Sequence, residues 1–394
     1  AFPQLVQWYE YTGVFGGSAW ILIVNILLFR GLYFSFKHRI IDRPVIAHMA
    51  MALLFLIVPI VYSINTYNNY AEERNPIDVV VIQPNIDPYN EQYNSTPSEV
   101  LDHIFELVEM KADSTTDFVV APESVIQERP LYENYLERGK SIKLLKEYAE
   151  KHPGRAVVIG ASTYYIVPEN EEPPIEARPF SNSERYYVAY NTAIYMDSAK
   201  KEQLYHKSKL TPGVEKMPFK KLFKHIENLA IDLGGTVGTL GTDPYRIPFE
   251  THTGDKIAPI ICYESIYGEF CAKFVRNGAD AFFIITNDGW WGNTPGHRQH
   301  LQFASLRAIE SRRSIARSAN TGISAFINQR GDILKATEYW EEDVIRNKMN
   351  TNEEITFYVQ YGDYIGRTAV FGTVMLLLIT ITGGIMRKTR RIIR

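Results

Sequence analysis

The sequence predicts an α/β domain held between membrane-spanning helices, two before the domain and one after it. Three long segments without Lys, Arg, Asp or Glu account for the helices. Between the second and the third, short runs of β-branched and aromatic residues alternate with amphipathic stretches, which is the pattern of an α/β layer fold. The composition of the 394 residues, 45% hydrophobic and 22% charged, is otherwise that of an ordinary globular protein.

The uncharged segments are residues 11–29, 44–71 and 368–386. Each is long enough for a bilayer core, which takes roughly 20 apolar residues. A helix buried inside the protein is the alternative for each. The link between the first two segments is rich in Lys and Arg, and the chain ends in RKTRRIIR. By the positive-inside rule both basic clusters are expected in the cytoplasm, which places residues 65–367 on the opposite side.

The amino terminus is expected on that opposite side too, with Trp8, Tyr9 and Tyr11 at the depth of the membrane interface. No charged region or cleavage motif precedes the first segment, so it is not predicted to be a signal peptide. Because Ala1 is not an initiator Met, further residues are expected before it. The net charge of −3 points to no particular partner, and no nucleic-acid partner is predicted.

The domain boundaries follow from these segments. We predict a membrane region over residues 1–71, a catalytic domain over 72–365, and a helix with a basic tail over 366–394. Residues 168–184 and 234–243 are predicted to be loops. Within the domain, strands are predicted at 77–83, 117–123, 156–162, 256–262 and 281–287, and helices at 97–112, 140–151, 266–277 and 299–317.

Several predicted strands end in residues that can do chemistry. Glu123, Cys262, and Asn287 with Asp288 each close an apolar run. Since sites gather at the carboxyl ends of strands in α/β sheets, these residues are expected in one cleft. Cys262 and Cys271 are the two cysteines of the chain, and a disulfide between them is one option in an oxidising compartment. The alternative for Cys262 is a small buried core residue.

A catalytic cysteine needs a base for its proton and a positive group for the oxyanion. Glu123 is the candidate base, although a carboxylate at a strand end can also be a simple surface residue. Lys207 and Lys209 are the candidate cations. On composition alone, both lysines fit a solvated polar turn.

Three motifs occur in an order that resembles the nitrilase superfamily. They are APES around Glu123, YHKSKLTPGVEKMPF around Lys207 and ICYE around Cys262. Longer stretches closely resemble the bacterial apolipoprotein N-acyltransferases within that superfamily. These stretches are ICYESIYGEF, ITNDGWWGNTPGHRQHLQFASLRAIESRR and RSANTGISAFINQRGDIL.

The resemblance implies a nitrilase-like αββα sandwich on the periplasmic side of a bacterial inner membrane. It also implies an acyltransferase of lipoprotein biosynthesis. Cys262 would take an acyl chain from a phospholipid, with phosphatidylethanolamine the expected donor, as a thioester. The acyl chain would then pass to the N-terminal α-amine of a diacylglyceryl cysteine on an apolipoprotein. No cofactor and no metal are implied, and we expect a monomer.

The resemblance also implies roles for single residues. Glu123 matches the family's general base and Cys262 its nucleophile. The family's lysine precedes Leu-x-Pro by three positions, which Lys207 satisfies and Lys209 does not. Supporting or substrate-binding roles are implied for a further set of residues, each of which can instead be a surface or packing residue. This set is Glu215, Tyr263, Glu264 and Trp290.

The sequence departs from the family pattern in two respects. Only two apolar segments precede the domain, whereas the family has more. The family also tends to carry an aromatic residue after the first strand that helps the substrate reach the site, and Tyr89 and Tyr93 are the candidates.

Three further features have open interpretations. Residues 218–235 form a basic amphipathic pattern that fits either a helix at the lipid headgroups or one packed on the domain. His297 and His300 are too few for a predicted metal site. A helical face of arginines could meet phosphates or be solvated or salt-bridged, and its members are Arg307, Arg312, Arg313 and Arg317.

Two other functions compete with acyl transfer. A membrane-tethered amidase would use Glu123, Lys207 and Cys262 with water as the acceptor. A non-catalytic, membrane-anchored binding domain would have no use for these three residues.

Overall fold

A computed structural model of the chain describes residues 2–38, 42–87, 91, 95–181, 183–216 and 239–392, apart from the side chains of His38, Trp290 and residues 387–392. The features predicted at Tyr89, Tyr93 and residues 218–235, and the side chain of Trp290, lie outside this part of the chain.

The two amino-terminal helices are α1 (Tyr9–His38) and α2 (Arg43–Asn69), and the carboxyl-terminal helix is α8 (Tyr364–Ile392). Within the described residues, three stretches are long and apolar enough to cross a membrane: Tyr9–Lys37, Arg43–Asn69 and Tyr364–Met386. Most of their large apolar side chains are exposed, as lipid-facing residues would be. The predicted flanking helices are therefore confirmed.

Helix α1 contains a kink at Gly13, where φ is 60°. A Cβ at this position would lie 2.3 Å from the ring of Tyr358. Glycine suits both this left-handed backbone and such a close approach. Tyr358 belongs to α7 (Phe357–Tyr361), so the kink lets α1 pack against the domain.

Seven strands form the first sheet of the domain. They are β1 (Pro76–Gln83), β2 (Phe118–Val120), β3 (Ala156–Ile166), β4 (Arg178–Pro179), β5 (Tyr186–Met196), β6 (Gln203–His206) and β13 (Asp343–Asn350). Their spatial order is β13–β1–β2–β3–β5–β4, with β6 also paired to β5. Strands β1, β2 and β3 run parallel. The predicted loop over residues 168–184 thus contains the short edge strand β4.

Six strands form the second sheet. They are β7 (Phe249–Glu250), β8 (Lys256–Ile261), β9 (Ala281–Thr286), β10 (Ile315–Ala319), β11 (Ala325–Ile327) and β12 (Ile333–Ala336). Their spatial order is β12–β11–β10–β9–β8–β7. The central strands β8, β9 and β10 run parallel, so their carboxyl ends meet at one edge.

Alternation along β1 shows how the layers stack. Val79 and Val81 join the core cluster that contains the second sheet, whereas Val80 and Ile82 join the cluster that contains residues of two helices. Because successive side chains of a strand face opposite sides, the first sheet lies between the second sheet and these helices. The two helices are α3 (Pro97–Glu109) and α4 (Lys140–Lys151).

The outer face of the second sheet is covered in the same way. Helices α5 (Gly268–Arg276) and α6 (Pro295–Ser311) contribute their apolar residues to the core cluster of that sheet. The layers are therefore helix, sheet, sheet and helix, which confirms the predicted αββα sandwich.

The helix predicted at 299–317 is wrong at its carboxyl end. Helix α6 ends at Ser311, Arg312 adopts a left-handed conformation with φ 51°, and β10 follows. Parallel pairing of β10 with β9 in the middle of a sheet outweighs the local helical pattern.

The predicted face of arginines is also corrected. Arg317 lies in β10 rather than on the helix, and all four arginine side chains are buried rather than solvated. Arg307, Arg312 and Arg317 are salt-bridged to carboxylates. Arg313 donates instead to backbone carbonyls, among them that of Ala279 at 2.7 Å.

Candidate active site

One cavity of about 210 Å³ is lined by three of the four residues predicted at the strand ends, whereas Asp288 does not line it. Glu123 follows β2, Cys262 follows β8 directly, and Asn287 follows β9 directly. Lys207 comes directly after β6 and lines the same cavity. The structure thus brings these four residues together around one space.

Four polar side chains form a largely buried cluster in the cavity wall, which we call the pocket cluster: Glu123, Asn191, Lys207 and Glu215. Lys207 Nζ lies 2.8 Å from Glu123 Oε1 and 2.9 Å from Glu215 Oε1. Asn191 Nδ2 donates to the same two oxygens, at 2.8 and 3.1 Å. The other Glu123 oxygen accepts from the backbone N–H of Asn287 at 2.9 Å. Both carboxylates are therefore held in place around one ammonium group.

The charges of the pocket cluster stabilise one another. Burial acts to lower the pKa of Lys207, but the Glu123 and Glu215 carboxylates outweigh burial and hold that pKa well above its ordinary value. Burial acts to raise the pKa of Glu215, whereas Lys207 and the backbone N–H of Thr211 lower it, and the lowering prevails. Lys207 is therefore charged at neutral pH although it is only 1% exposed.

The two candidate lysines differ sharply in environment. Lys209 is exposed, and its ammonium lies 5.2 Å from the centre of the Tyr267 ring. Lys207 is buried between two carboxylates in the cavity wall. Position therefore favours Lys207 over Lys209 as the cation of the site.

Cys262 sits at a sharp turn between β8 and a 3₁₀ turn over Cys262–Ile266. Its φ is 49°, a left-handed conformation that is unfavourable for a residue with a side chain. Such strain is typical of functional positions, where the surrounding structure maintains it. The turn places Cys262 at the end of the strand, against the cavity.

The thiol of Cys262 is protonated in the resting site. Burial, and then the negative charge of Glu123, raise its pKa well above the ordinary value, although Lys207 acts in the opposite direction. A thiolate therefore needs a base that takes the proton as the reaction starts. Cys271 is a free, buried thiol of α5, so the optional disulfide between the two cysteines does not form.

A buried ionic network beneath Cys262 is not predicted from the sequence. His300 Nε2 lies 3.0 Å from the carbonyl oxygen of Cys262 and 2.8 Å from Ser265 Oγ. Its Nδ1 lies 3.0 Å from Asp288 Oδ1, and Arg317 Nη2 donates to the other Asp288 oxygen at 2.6 Å. The network thus contacts the backbone of the strained residue. Its sequence signals are the HRQH motif and the acidic residue that follows β9.

Glu264 accepts hydrogen bonds that hold the segment after β6, which begins at Lys207 and which we call the Lys207 loop. Its Oε1 accepts from the backbone N–H of Ser208 at 2.6 Å and from the Tyr205 hydroxyl at 2.8 Å. Its Oε2 accepts from the N–H of Ile261 at 2.8 Å. Burial raises the pKa of Glu264 to about 7, against the lowering by these hydrogen bonds.

Aromatic side chains and histidines complete the surroundings of the site. Tyr263 lines the cavity and packs edge-on against Tyr267. Trp291, which is not among the predicted residues, also lines the cavity. His297 stacks on Tyr339 with 3.9 Å between the ring centres. Among the described residues, no group of three or more His, Cys, Asp or Glu side chains could hold a metal ion.

Sequence similarity assigns the chain to a family. The sequence pattern of the carbon-nitrogen hydrolase family matches residues 79–354. The chain belongs to this family. The match begins within β1, ends after β13 and contains every residue of the pocket cluster.

Relatives within the carbon-nitrogen hydrolase family carry a more specific name. The apolipoprotein N-acyltransferase of Chlorobaculum tepidum is 29% identical over 92% of this chain and 67% of its own length. That of Geobacter metallireducens is 28% identical over 94% of this chain and 66% of its own length. The chain thus spans about two thirds of the length of these curated relatives. Together with the three apolar helices, the relatives indicate a membrane protein.

A solved structure is similar to part of this chain. The CN-hydrolase superfamily protein of Xanthomonas campestris is 16% identical, with a TM-score of 0.46 over 70% of this chain and 90% of that one.

Proposed function

We propose that this protein transfers an acyl chain from a phospholipid to the N-terminal α-amine of a diacylglyceryl cysteine on an apolipoprotein. The observation that carries the proposal is one cavity lined by Cys262, Glu123 and Lys207, in a domain flanked by helices long enough to cross a membrane. The similarity to apolipoprotein N-acyltransferases supports it. A hydrolase acting on small soluble amides would have no need of such helices.

In the first half-reaction, Glu123 takes the thiol proton as the sulfur of Cys262 attacks the ester carbonyl of the phospholipid. Lys207 and the backbone N–H of Tyr263 stabilise the resulting oxyanion. The tetrahedral intermediate collapses, the carbon–oxygen bond of the ester breaks, and Glu123 gives its proton to the leaving alkoxide. The products are a lysophospholipid and a Cys262 thioester.

In the second half-reaction, the neutral α-amine of the acceptor attacks the thioester carbonyl. Glu123 removes a proton from the attacking nitrogen, and the carbon–sulfur bond breaks. The proton then passes from Glu123 to the departing sulfur, which restores the thiol. Because the pKa of Cys262 is high, the free enzyme returns to a protonated and unreactive state after each cycle.

The other residues of the pocket cluster act by position. Glu215 and Glu123 share Lys207, which fixes the ammonium near the carbonyl oxygen of a bound ester. Asn191 holds both carboxylates through hydrogen bonds. Outside the cluster, Tyr263 and Trp290 are proposed to line the acyl groove, and Glu264 to hold the Lys207 loop.

We further propose that the catalytic domain over residues 72–365 faces the periplasm of a bacterial inner membrane. The basic link between α1 and α2 and the basic carboxyl terminus support this orientation. The proposed reaction involves no cofactor, and the protein is proposed to act as a monomer.

The test uses the full chain in detergent with phosphatidylethanolamine labelled in its acyl chains. A hydroxylamine-sensitive label should appear on the native protein and on Cys271→Ser, a matched control because Cys271 is also a free cysteine. Cys262→Ser should remain unlabelled. Addition of a diacylated cysteine peptide should move the label to the peptide amine. Ammonia release from small amides, with no label on the protein, would contradict the proposal and favour a hydrolase.

A further inference from the structure

In addition to Lys207, two arginines line the cavity, and their environments differ. Arg129 is exposed, and its Nη2 donates to the side chain of Gln127. Arg178 is partly buried and lies on the short edge strand β4. The environment of Arg178 is the unusual one, because part of its guanidinium is shielded from water.

The pairing of β4 with β5 directs Arg178 toward the catalytic residues. In this antiparallel pair Arg178 lies opposite Tyr187. Directly opposite residues share a face of the sheet, and so do residues two positions apart along a strand. Arg178 is therefore on the same face as Ala189 and Asn191, and all three line the cavity with Cys262.

Part of the guanidinium of Arg178 is buried without a hydrogen-bond partner among the described residues. Its Nε and Nη2 atoms are shielded from solvent and have no hydrogen-bond partner among the described residues. These two nitrogens form one edge of the guanidinium, whose parallel N–H groups match two oxygens of a phosphate or carboxylate. Burying such donors without an acceptor is unfavourable. An anionic ligand inside the cavity would supply the acceptors that this edge of the guanidinium lacks.

Charge also distinguishes Arg178 from the lysine of the site. The positive charge of Lys207 is offset by Glu123 at 2.8 Å and Glu215 at 2.9 Å. The pocket cluster, with two carboxylates and one ammonium, would by itself repel an anion. No salt bridge joins Arg178 to a carboxylate within the part of the chain that the structure describes. Its charge therefore stays available to an anionic substrate.

We propose that the Nε–Nη2 edge of Arg178 binds the phosphate diester of the acyl donor. This inference rests on the proposed function, in which the scissile ester and the phosphate belong to the same glycerophospholipid. Only a short glycerol unit separates the two groups, so both fit within one cavity. The contact orients the donor with its ester toward Cys262 and makes the enzyme selective for phosphate-bearing lipids over neutral diacylglycerol.

The kinetic test compares two donors with identical labelled acyl chains, phosphatidylethanolamine and diacylglycerol, in formation of the Cys262 thioester. Arg178→Gln should lower kcat/KM for the phospholipid by roughly ten- to a hundredfold, the range for a lost hydrogen bond to a charged group. The change should fall mainly on KM, because the contact is present before the reaction begins. Activity with diacylglycerol should stay unchanged. Arg178→Lys should restore part of the loss, since it keeps the charge but not the planar edge.

Arg185→Gln is the matched control. Arg185 lies on the connection between β4 and β5, is exposed, and lines a neighbouring cavity. The substitution removes the same charge from the same hairpin but at the neighbouring cavity. Thioester formation from both donors should therefore be unaffected. An equal loss for both donors in Arg178→Gln would show a structural role and overturn the proposal. The loss could instead be confined to the second half-reaction, the transfer of label onto a diacylated cysteine peptide of acidic sequence. That result would assign the Arg178 guanidinium to the acceptor and would also overturn the proposal.

A binding measurement separates this inference from the proposed function. Glycerophosphoethanolamine carries the phosphate diester without acyl chains, and its binding to the full chain needs no turnover. Weaker binding to Arg178→Gln than to the native protein and Arg185→Gln supports the subsite, even if no thioester forms with any donor. Equal binding to all three proteins overturns the subsite, while thioester formation on Cys262 would leave the proposed acyl transfer standing.

Inorganic phosphate distinguishes a lipid headgroup from a free anion as the ligand. It should compete only weakly with glycerophosphoethanolamine, because it lacks the glycerol and the ethanolamine. Equal or stronger competition by inorganic phosphate would overturn the assignment of this edge to the acyl donor.

Discussion

Two of the regions in which the described residues bury ionic groups have different surroundings. The pocket cluster lines a cavity beside a strained cysteine. The second region, which we call the junction cluster, lies where the domain meets α1 and α2: Glu10, Arg307, Glu310 and Arg312. All four side chains of the junction cluster are at most 16% exposed.

Arg312 connects the domain to the amino-terminal helices. Its Nε donates to Glu10 at 2.7 Å, and its Nη1 donates to Gln7 at 2.6 Å. The guanidinium also lies 4.5 Å from the centre of the Tyr70 ring, just beyond α2. One side chain of the domain thus contacts the start of α1 and the end of α2.

Glu310 makes a second connection to α1. One carboxylate oxygen lies 2.9 Å from Arg307 Nε, and the other accepts from the backbone N–H of Val14 at 3.0 Å. Val14 is next to the kink of α1 at Gly13. The junction cluster therefore holds the domain against its helices.

Burial of charge does not by itself identify a catalytic site. Both clusters pair ionisable groups at distances below 3 Å in places shielded from water. Of the two, the pocket cluster is the one that lines a cavity together with Cys262, the proposed nucleophile. Substitutions in the pocket cluster should therefore affect chemistry, and those in the junction cluster should affect stability.

The largest effect is expected for Glu123→Gln. Loss of the proposed base should slow thioester formation by about a hundred- to ten-thousandfold. The thiol of Cys262 should nevertheless become more acidic, because the charge of Glu123 raises its pKa in the native protein. Alkylation by iodoacetamide, followed as a function of pH in a Cys271→Ser background, should shift to lower pH. A profile that stays in place would contradict the proposed electrostatic coupling of Glu123 and Cys262.

A smaller effect, on stability alone, is expected for Arg312→Gln. The substitution leaves Glu10 partly buried without its partner, which typically costs about 3–5 kcal/mol. Chemical denaturation in detergent should show this loss, while thioester formation per folded molecule stays unchanged. Arg367→Gln is the control. Arg367 is more than half exposed in its pair with Glu269, so its substitution should change stability by less than about 1 kcal/mol. Impaired thioester formation in folded Arg312→Gln would contradict the division between the two clusters.

The sequence is informative where function depends on strand ends and hydrophobic runs. Apolar segments predict the flanking helices, and the residues after β2, β8 and β9 are expected in one cleft. Glu123 and Cys262 can be found in this way because the carboxyl ends of parallel strands meet at one edge of a sheet.

The link between Arg312 and Glu10 in the junction cluster cannot be predicted from local patterns, because the two residues come from distant parts of the chain. Arg312 and Glu10 are 302 positions apart, and nothing in either local pattern points to the other. The same holds for Asn191, whose role depends on its contacts with Glu123 and Glu215. Helical periodicity near residue 317 is misleading, since pairing of β10 with β9 determines the conformation there.

The smallest effect concerns pH and the junction cluster. Burial raises the pKa of Glu310 from 4.5 to about 7, despite the nearby charge of Arg307. The folded protein therefore holds this proton more tightly than the unfolded chain, so the associated stability is complete below pH 4.5 and is lost as the pH rises through 7. A shift of this size corresponds to about 3 kcal/mol.

Glu310→Gln removes this titration. Between about pH 4.5 and 8, the variant should therefore lose about 3 kcal/mol less stability than the native protein loses. Chemical denaturation in detergent across this range measures the difference. The stability of the variant should still depend on pH to some extent. The pKa of Glu264 is also raised to about 7, so its carboxyl group titrates in the same pH range. If the free energy of unfolding changes with pH at the same slope in the native protein and the variant, Glu310 is ionised throughout as the partner of Arg307. The junction cluster would then resemble the pocket cluster in its charge state.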